Sequence, residues 1–279
     1  MRWWRYIAGA TVIGLAAYYF SVQMEGRWFD LVSWSYRVGP MTFLFSVQLL
    51  VFYHFVLAWL FKSWVKLFGE DLPWVKSFKV LYISQMARFL PGGVWGYVGQ
   101  VYLGGQEGIH RGKLVLASVG HMALNVMSGV IIAAALVPVG TPWSPTWRSL
   151  SVVLVGMGLA IALYSPAIRW LGRRLGGNQG SQKSWSRIET ASFLKLFLMY
   201  GAHWLLYGGA FWFFLDSLQV SDRLTFGEAT GSLALAGVAG LITPFVPGGL
   251  GVREGVLAFL LKPSLGASGA AAVSLLSRV

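Results

Sequence analysis

The sequence predicts an all-α polytopic integral membrane protein with about six spanning helices and two re-entrant helical hairpins. Hydrophobic residues make up 56% of the 279 residues and charged residues only 11%, whereas soluble domains carry about 25% charge. The apolar residues are grouped in runs long enough to cross a bilayer. Two apolar stretches contain the same Pro-Gly-Gly motif. Together these observations predict a single transmembrane domain over residues 1–279.

Six apolar runs are candidate spans. A helix rises 1.5 Å per residue and needs about 20 apolar residues to cross a hydrocarbon core of about 30 Å. The runs cover residues 6–22, 41–61, 114–138, 150–164, 193–215 and 264–277. Bulky Tyr18, Tyr19 and Phe20 close the first run, where a signal peptidase site needs small residues. We therefore predict that the first run is an uncleaved span.

The basic residues predict the orientation of these spans. If the N-terminus is cytoplasmic, the inner segments hold 14 of the 22 Lys and Arg residues and the outer segments hold 5. The other 3 lie in or at the end of hydrophobic stretches. This bias follows the positive-inside rule, so it predicts a cytoplasmic N-terminus and accounts for the net charge of +12 without a nucleic-acid partner. Cysteine is absent, which excludes disulfides and thiol-bound metals.

The repeated motif predicts two breaks in helices. Phe89-Leu90-Pro91-Gly92-Gly93 returns 156 positions later as Phe245-Val246-Pro247-Gly248-Gly249. Proline and glycine both interrupt helices, and the apolar stretches beside the first motif are too short to cross a bilayer. The chain is therefore predicted to enter the membrane, turn near mid-depth and return. The first hairpin covers about residues 78–108 and the second about residues 227–262.

Three full spans are predicted between the two motifs, so the hairpins would enter from opposite faces. Inverted pairs of broken helices recur in transporters, where the freed backbone groups line a cavity. An alternative interpretation is that each motif only kinks a packed spanning helix. It applies most directly to the second motif, whose incoming arm is nearly long enough to span. In either case, the backbone of Pro91, Gly92, Gly93, Pro247, Gly248, Gly249 and Gly251 is predicted to form the hinges and the cavity wall.

Charged residues beside the motifs are the candidate binding residues. Arg253 and Glu254 follow the second motif, and an ionised side chain at the bilayer centre costs about 2.5–3.5 kcal/mol on insertion scales. We predict that Arg253 binds a lipid phosphate, with Glu254 balancing its charge or contacting a cationic headgroup. The alternative is a structural ion pair from Arg253 or Glu254 to another helix. Arg88, just before the first motif, is a second candidate.

Three further polar residues lie within apolar runs. His121 and Asn125 are four residues apart, hence on one helix face, and His203 lies in the middle of a later run. Metal binding or proton transfer would suit the histidines, but no carboxylate occurs at ligand spacing, so interhelical hydrogen bonds are predicted. A weaker alternative makes Glu254 and His203 the acid and base of an intramembrane enzyme. No catalytic motif occurs, so neither an enzyme nor a cofactor is predicted.

The motif segments resemble a known family. Residues 88–93 with Gly108-Ile109, and residues 247–255 with residues 275–278, are similar to the lysylphosphatidylglycerol synthase transmembrane region. This is the flippase-like part of the multiple peptide resistance factor and of its stand-alone bacterial and archaeal relatives. The resemblance implies a multi-pass plasma-membrane protein that moves or handles phospholipids. The soluble aminoacyl-transferring domain is absent, so lysyl transfer is not implied. Relatives usually continue past the position of Arg278 with another helix, so a truncated chain and a differently completed bundle both remain open.

The function predicted from these observations is that of a membrane lipid translocator. An anionic phospholipid or lipid-linked headgroup would bind in a cavity near the midplane, with membrane lipids as partners and without a cofactor. The alternative is a non-transporting accessory or scaffold subunit that associates with a lipid or envelope biosynthetic enzyme.

Overall fold

The computed structural model describes residues 38–87, 94–137, 190–243 and 246–278, together with Gly14 and Tyr18. This part of the chain is helical and contains no strand, which confirms the predicted all-α class. Its seven α-helices are α1 (Pro40–Leu67), α2 (Trp74–Met86), α3 (Trp95–Gln106), α4 (Arg111–Leu136), α5 (Thr190–Ser217), α6 (Phe226–Leu241) and α7 (Val252–Leu276). Two 3-10 turns, Ser221–Arg223 and Pro247–Gly249, precede α6 and α7.

Three of the described helices, α1, α4 and α7, are long and apolar enough to cross a membrane. Helix α5 has 28 residues, the same length as α1. Of the predicted run at 6–22 only Gly14 and Tyr18 are described, and the run at 150–164 lies outside the described residues. Helix α1 exposes a row of large apolar side chains, as expected of a surface in contact with lipid: Met41, Phe43, Leu44, Phe45, Val47, Leu50, Val51, Phe52, Phe55 and Trp59.

Helices α1 and α5 run antiparallel and form the centre of the bundle. At one end, which we call the Gly39 end, the Gly39 N–H donates to the Ser217 carbonyl at 2.8 Å. At the other end Trp64 of α1 packs edge to face against Phe193 of α5, with ring centroids 6.4 Å apart. Trp64 also covers Gly120 of α4, where a Cβ would lie 2.6 Å from the Trp64 ring. The three helices therefore share one apolar core.

The opposite end of the bundle, which we call the Glu70 end, is closed by ion pairs. The Lys113 ammonium at the start of α4 lies 2.8 Å from the Glu70 carboxylate in the loop after α1. Lys76 at the start of α2 lies 2.7 Å from Glu107 at the end of α3. Its hydrogen bond lowers the pKa of the Glu107 carboxyl. Charged side chains thus join four helix ends at one face of the protein.

Helices α2 and α3 form an antiparallel pair, in which the start of α2 and the end of α3 lie at the Glu70 end. The start of α2 meets the end of α3 through Lys76 and Glu107. Near the other ends a Cβ on Gly99 would lie 2.9 Å from the Ser84 Cβ, so the two helices touch there as well. With 13 and 12 residues, each helix is about 20 Å long, too short to cross a bilayer. Residues 88–93, which join them, lie outside the described residues.

Helix α6 starts at the Gly39 end with a capping box. The Thr225 hydroxyl accepts a hydrogen bond from the Glu228 N–H at 3.2 Å, and the Glu228 carboxylate accepts one from the Thr225 N–H at 2.8 Å. The two bonds satisfy backbone donors that the first helical turn leaves free. From there α6 runs antiparallel to α5, because Thr230 packs on Gly208 and Gly237 packs on Trp204.

Helix α7 is not straight, although its length and composition suit a single span. Arg253 donates to the Ser277 carbonyl at 3.4 Å, whereas 24 residues of straight helix would separate them by about 36 Å. The chain reverses at Gly266, whose φ of 73° and ψ of 172° are not helical. Residues 252–265 therefore pack back along α6, and residues 267–276 return towards the start of α7. The predicted run at 264–277 coincides with this turn and the returning arm.

The contact between α5 and α6 gives a prediction for stability. A Cβ on Gly208 would lie 2.2 Å from the Thr230 hydroxyl oxygen, while a Cβ on neighbouring Gly209 meets only Leu49, at 3.8 Å. We expect Gly208→Ala to destabilise the protein by about 1–3 kcal/mol through overpacking. Gly209→Ala should leave stability unchanged or raise it by up to about 1 kcal/mol through helix propensity. Thermal unfolding of both variants in detergent measures the difference, and equal midpoints would contradict this packing.

Candidate functional site

The second Pro-Gly-Gly motif lies where the chain leaves α6 and begins α7. Gly248, Gly249 and Gly251 have φ values of 59°, 66° and 81°, a region that side-chain-bearing residues rarely adopt. Gly249 also lies against Gly240 of α6, since a Cβ on Gly249 would be 2.7 Å from the Gly240 Cα. Glycine therefore suits the break in backbone conformation at all three positions and, at Gly249, in space as well; the hinge role of these glycines remains a prediction. Pro247 opens the 3-10 turn that contains the first two of them.

Glu254 and Arg278 hold this break in place. Glu254 is only 4% exposed, and its two carboxylate oxygens accept from the Gly251 N–H at 2.6 Å and from the Arg278 guanidinium at 2.5 Å. Arg278 also donates to the Gly248 carbonyl at 2.7 Å. The network joins both sides of the break to the end of α7, so backbone groups that have left the helix are satisfied by charged side chains.

Arg253 has a different environment from Arg278. One nitrogen of its guanidinium, Nη2, donates to the Tyr207 hydroxyl at 3.0 Å and to the Ser277 carbonyl at 3.4 Å. In the part of the chain that the structure describes, Arg253 forms no ion pair, and the neighbouring carboxylate, Glu254, is bound to Arg278. Glu254 therefore does not balance Arg253 directly. Two guanidinium groups and one carboxylate leave the site with an excess positive charge.

The site lies inside the bundle rather than at its ends. Tyr207, the partner of Arg253, is 10 residues before the end of α5 at Ser217, or about 15 Å along the helix axis. The guanidinium fork matches the geometry of phosphate oxygens, and the positive end of the α7 dipole adds to its field. The arrangement can bind an anionic group within the apolar part of the protein.

The first motif cannot be compared in the same way. Arg88, Pro91, Gly92 and Gly93 all lie outside the described residues. The described chain ends at Ala87 after α2 and resumes at Val94 before α3. The predictions that Arg88 contacts the substrate and that these three residues form a hinge therefore remain predictions.

His121, Asn125 and His203 occupy the interface between α4 and α5. The His121 ring nitrogen Nδ1 and the Tyr200 hydroxyl are 2.5 Å apart, which makes the interhelical hydrogen bond that the sequence predicted for His121. Asn125 contacts α5 through its backbone, since its carbonyl accepts from the Trp204 indole N–H at 2.9 Å. His203 differs from the expectation: it is 1% exposed, and neither ring nitrogen has an interhelical hydrogen-bond partner among the described residues.

Sequence reasoning did not select two residues of this site. Tyr207 lies four residues after His203 on the same face of an apolar run, a spacing that would have identified it as a polar partner. In the sequence, Arg278 stands out only as part of the family motif at residues 275–278. A buried Glu254 requires a cation, and Arg278 is the only arginine that follows it.

The helical bundle, its outward apolar residues and its long apolar helices are those of an integral membrane protein. The family model described as the lysylphosphatidylglycerol synthase TM region matches residues 6–279, and the chain belongs to this family. The resemblance found in the motif segments is thereby confirmed. No curated protein matches the sequence.

The Glu254–Arg278 pair gives a prediction that separates it from surface ion pairs. Because Glu254 is buried and Arg278 is about one fifth exposed, we expect Glu254→Gln to cost about 1–3 kcal/mol of unfolding free energy. Combining it with Arg278→Met should cost less than the sum of the two single changes, because no unpaired charge remains. The double-mutant cycle is measured by reversible unfolding in mixed micelles.

The control for this cycle is the more exposed Lys76–Glu107 pair at the Glu70 end, where Glu107→Gln should change the stability much less than Glu254→Gln does. Strictly additive effects of the Glu254 and Arg278 changes would show that the two side chains are not energetically coupled.

Proposed function

We propose that this protein is a flippase-like membrane lipid translocator that binds the anionic headgroup of a phospholipid or lipid-linked substrate at Arg253. The observation that carries the proposal is a guanidinium inside the helical bundle that has no carboxylate partner among the described residues. A charge at this depth costs several kcal/mol unless an opposite charge offsets it. A phosphate group supplies that charge and matches the guanidinium fork.

The division of roles between the two arginines supports binding at Arg253. Arg278 is engaged by Glu254 and by the Gly248 carbonyl, so its donors stabilise the break. Arg253 uses one nitrogen for a neutral hydroxyl and a carbonyl, which leaves its charge for a ligand. Tyr207 fixes the direction of the guanidinium and adds no negative charge that would compete with a phosphate.

The proposed architecture has about six spanning helices and two re-entrant hairpins in an inverted arrangement. Two observations support it. The start of α2 and the end of α3 lie at the Glu70 end. The start of α6 lies at the Gly39 end, and residues 252–265 run back along α6 towards that end. The Glu70 end carries many basic residues, which favours the cytoplasmic side and hence a cytoplasmic N-terminus; they are Lys62, Lys66, Lys76, Lys79, Arg111, Lys113 and Lys195. A cavity between the hairpins near mid-depth would expose Arg253, and Arg88 is a second candidate contact there.

A translocation assay tests this function. The protein is reconstituted into proteoliposomes that contain a fluorescent, headgroup-labelled anionic phospholipid, and loss of inner-leaflet label is followed over time. We expect Arg253→Gln to lower the rate at least about tenfold, to that of protein-free vesicles, because one charged contact is worth about 1.4 kcal/mol or more. Arg253→Lys should give an intermediate rate, since an ammonium keeps the charge but lacks the fork.

The matched control is Arg223→Gln, which removes a guanidinium from the 3-10 turn at the Gly39 end. It should translocate at the unmodified rate. Equal rates for the unmodified protein and protein-free vesicles would reject translocation. If the protein then co-purified with a lipid or envelope biosynthetic enzyme, the accessory-subunit alternative would replace it.

A further inference from the structure

His203 is a buried imidazole that no described contact explains. It lies in the middle of α5 and is 1% exposed, and neither ring nitrogen hydrogen-bonds to another helix among the described residues. Its polar contact is with the Tyr200 backbone, one turn earlier in α5. In a neutral imidazole one ring nitrogen is an acceptor and can therefore take a proton. Burying an imidazole whose hydrogen-bonding capacity is so little used is costly, so the site calls for a functional explanation.

A stack of aromatic rings connects His203 to the proposed headgroup site. The His203 ring stacks on Tyr53 of α1, with centroids 4.5 Å apart and an interplanar angle of 23°. Tyr53 stacks on Tyr207 in the same way, at 4.5 Å and 22°. The Tyr207 hydroxyl then accepts from Arg253 at 3.0 Å. His203 and Arg253 are thus joined through two tyrosines that touch each other.

The groups around His203 offer no negative charge. Helix α1 contributes Tyr53 and His54, α4 contributes His121, and α5 contributes Tyr200 and Tyr207. Helix α6 has one ionisable side chain, Glu228, which caps its first turn at the Gly39 end. On the side of α7 the charged group that reaches the stack is Arg253. A proton on His203 would therefore face a fixed positive charge and no described carboxylate that offsets it.

We infer that His203 is a proton-binding site coupled to the anion site at Arg253, so that an anionic headgroup and a proton are taken up together. This inference rests on the proposed function. An anion on Arg253 cancels the charge that opposes protonation of His203. By thermodynamic reciprocity a proton on His203 strengthens anion binding by the same factor. Two unit charges on the order of 10 Å apart, at an effective dielectric constant of about 20, change each other's equilibria about tenfold.

The test measures the affinity of the purified protein for short-chain phosphatidylglycerol at about pH 8 and about pH 5.5, the interval in which an imidazole changes charge. The phosphodiester of this probe keeps one negative charge over the interval. We expect the unmodified protein to bind more tightly at the lower pH, by at most about tenfold. His203→Gln should bind equally at both values, because it keeps hydrogen-bonding capacity but cannot be protonated. Short-chain diacylglycerol, which lacks the phosphate, should not compete with the probe.

Two control variants test whether His203 is the histidine that causes the pH dependence. His110→Gln changes a histidine outside the bundle at the start of α4, and His121→Gln changes the neighbouring buried histidine that is already hydrogen-bonded to Tyr200. Both should keep the pH dependence. If His121→Gln abolishes it and His203→Gln does not, the assignment to His203 is overturned.

A second measurement does not depend on any variant folding correctly. Adding phosphatidylglycerol to the unmodified protein in weakly buffered solution near pH 6.5 should cause measurable proton uptake, of up to about half a proton per bound lipid for a tenfold coupling. No proton uptake together with pH-independent affinity overturns the coupling. The proposed function survives that result if Arg253→Gln still abolishes binding. Binding that does not depend on Arg253 at either pH overturns the anion site as well.

Discussion

A bilayer provides no hydrogen-bond partners, and this constraint determines how the chain is built around its second break. Wherever the backbone leaves a helix inside the bundle, another part of the protein must satisfy it. Glu254 accepts from the Gly251 N–H, and Arg278 donates to the Gly248 carbonyl. Because these side chains also bind each other, the start and the end of α7 must lie together. The reversal at Gly266 follows from this requirement and from the glycine's positive φ.

Close helix contacts keep that arrangement in register. Lipid tails are as apolar as leucine, so helices in a membrane associate mainly through close packing rather than through the hydrophobic effect. Glycines provide this packing on three helices: Gly129 of α4 meets Trp204, Gly208 of α5 meets Thr230, and Gly231 of α6 meets the backbone at the end of α4. The same α5 segment carries His203 and Tyr207. The polar groups of the site are therefore positioned by close packing at glycines.

The sequence predicted those features that depend on local composition. The long apolar helices α1, α4 and α5 follow from run length, and the Pro-Gly-Gly motif correctly marks the end of α6 and the start of α7. The pairing of Glu254 with Arg278 could not be predicted in this way. It joins residues 24 positions apart, which are neighbours only because α7 reverses, and a run of small residues does not distinguish a turn from a span. The stacking of Tyr53 between His203 and Tyr207 likewise depends on the register of α1 against α5.

The two arginines of the site have different partners, and this difference distinguishes a structural role from a binding role. Both lie near one carboxylate, but Glu254 has only two oxygens, one taken by Gly251 and the other by Arg278. Arg253 consequently keeps a charge that the described residues do not offset. A protein under selection for stability alone could replace such a residue with an apolar one at no cost, or with a gain. Retaining the charge is worthwhile where a ligand offsets it for part of a cycle. An Arg253 that is held in position by Tyr207 and has no ion-pair partner among the described residues therefore favours transient binding of an anion over a permanent structural role.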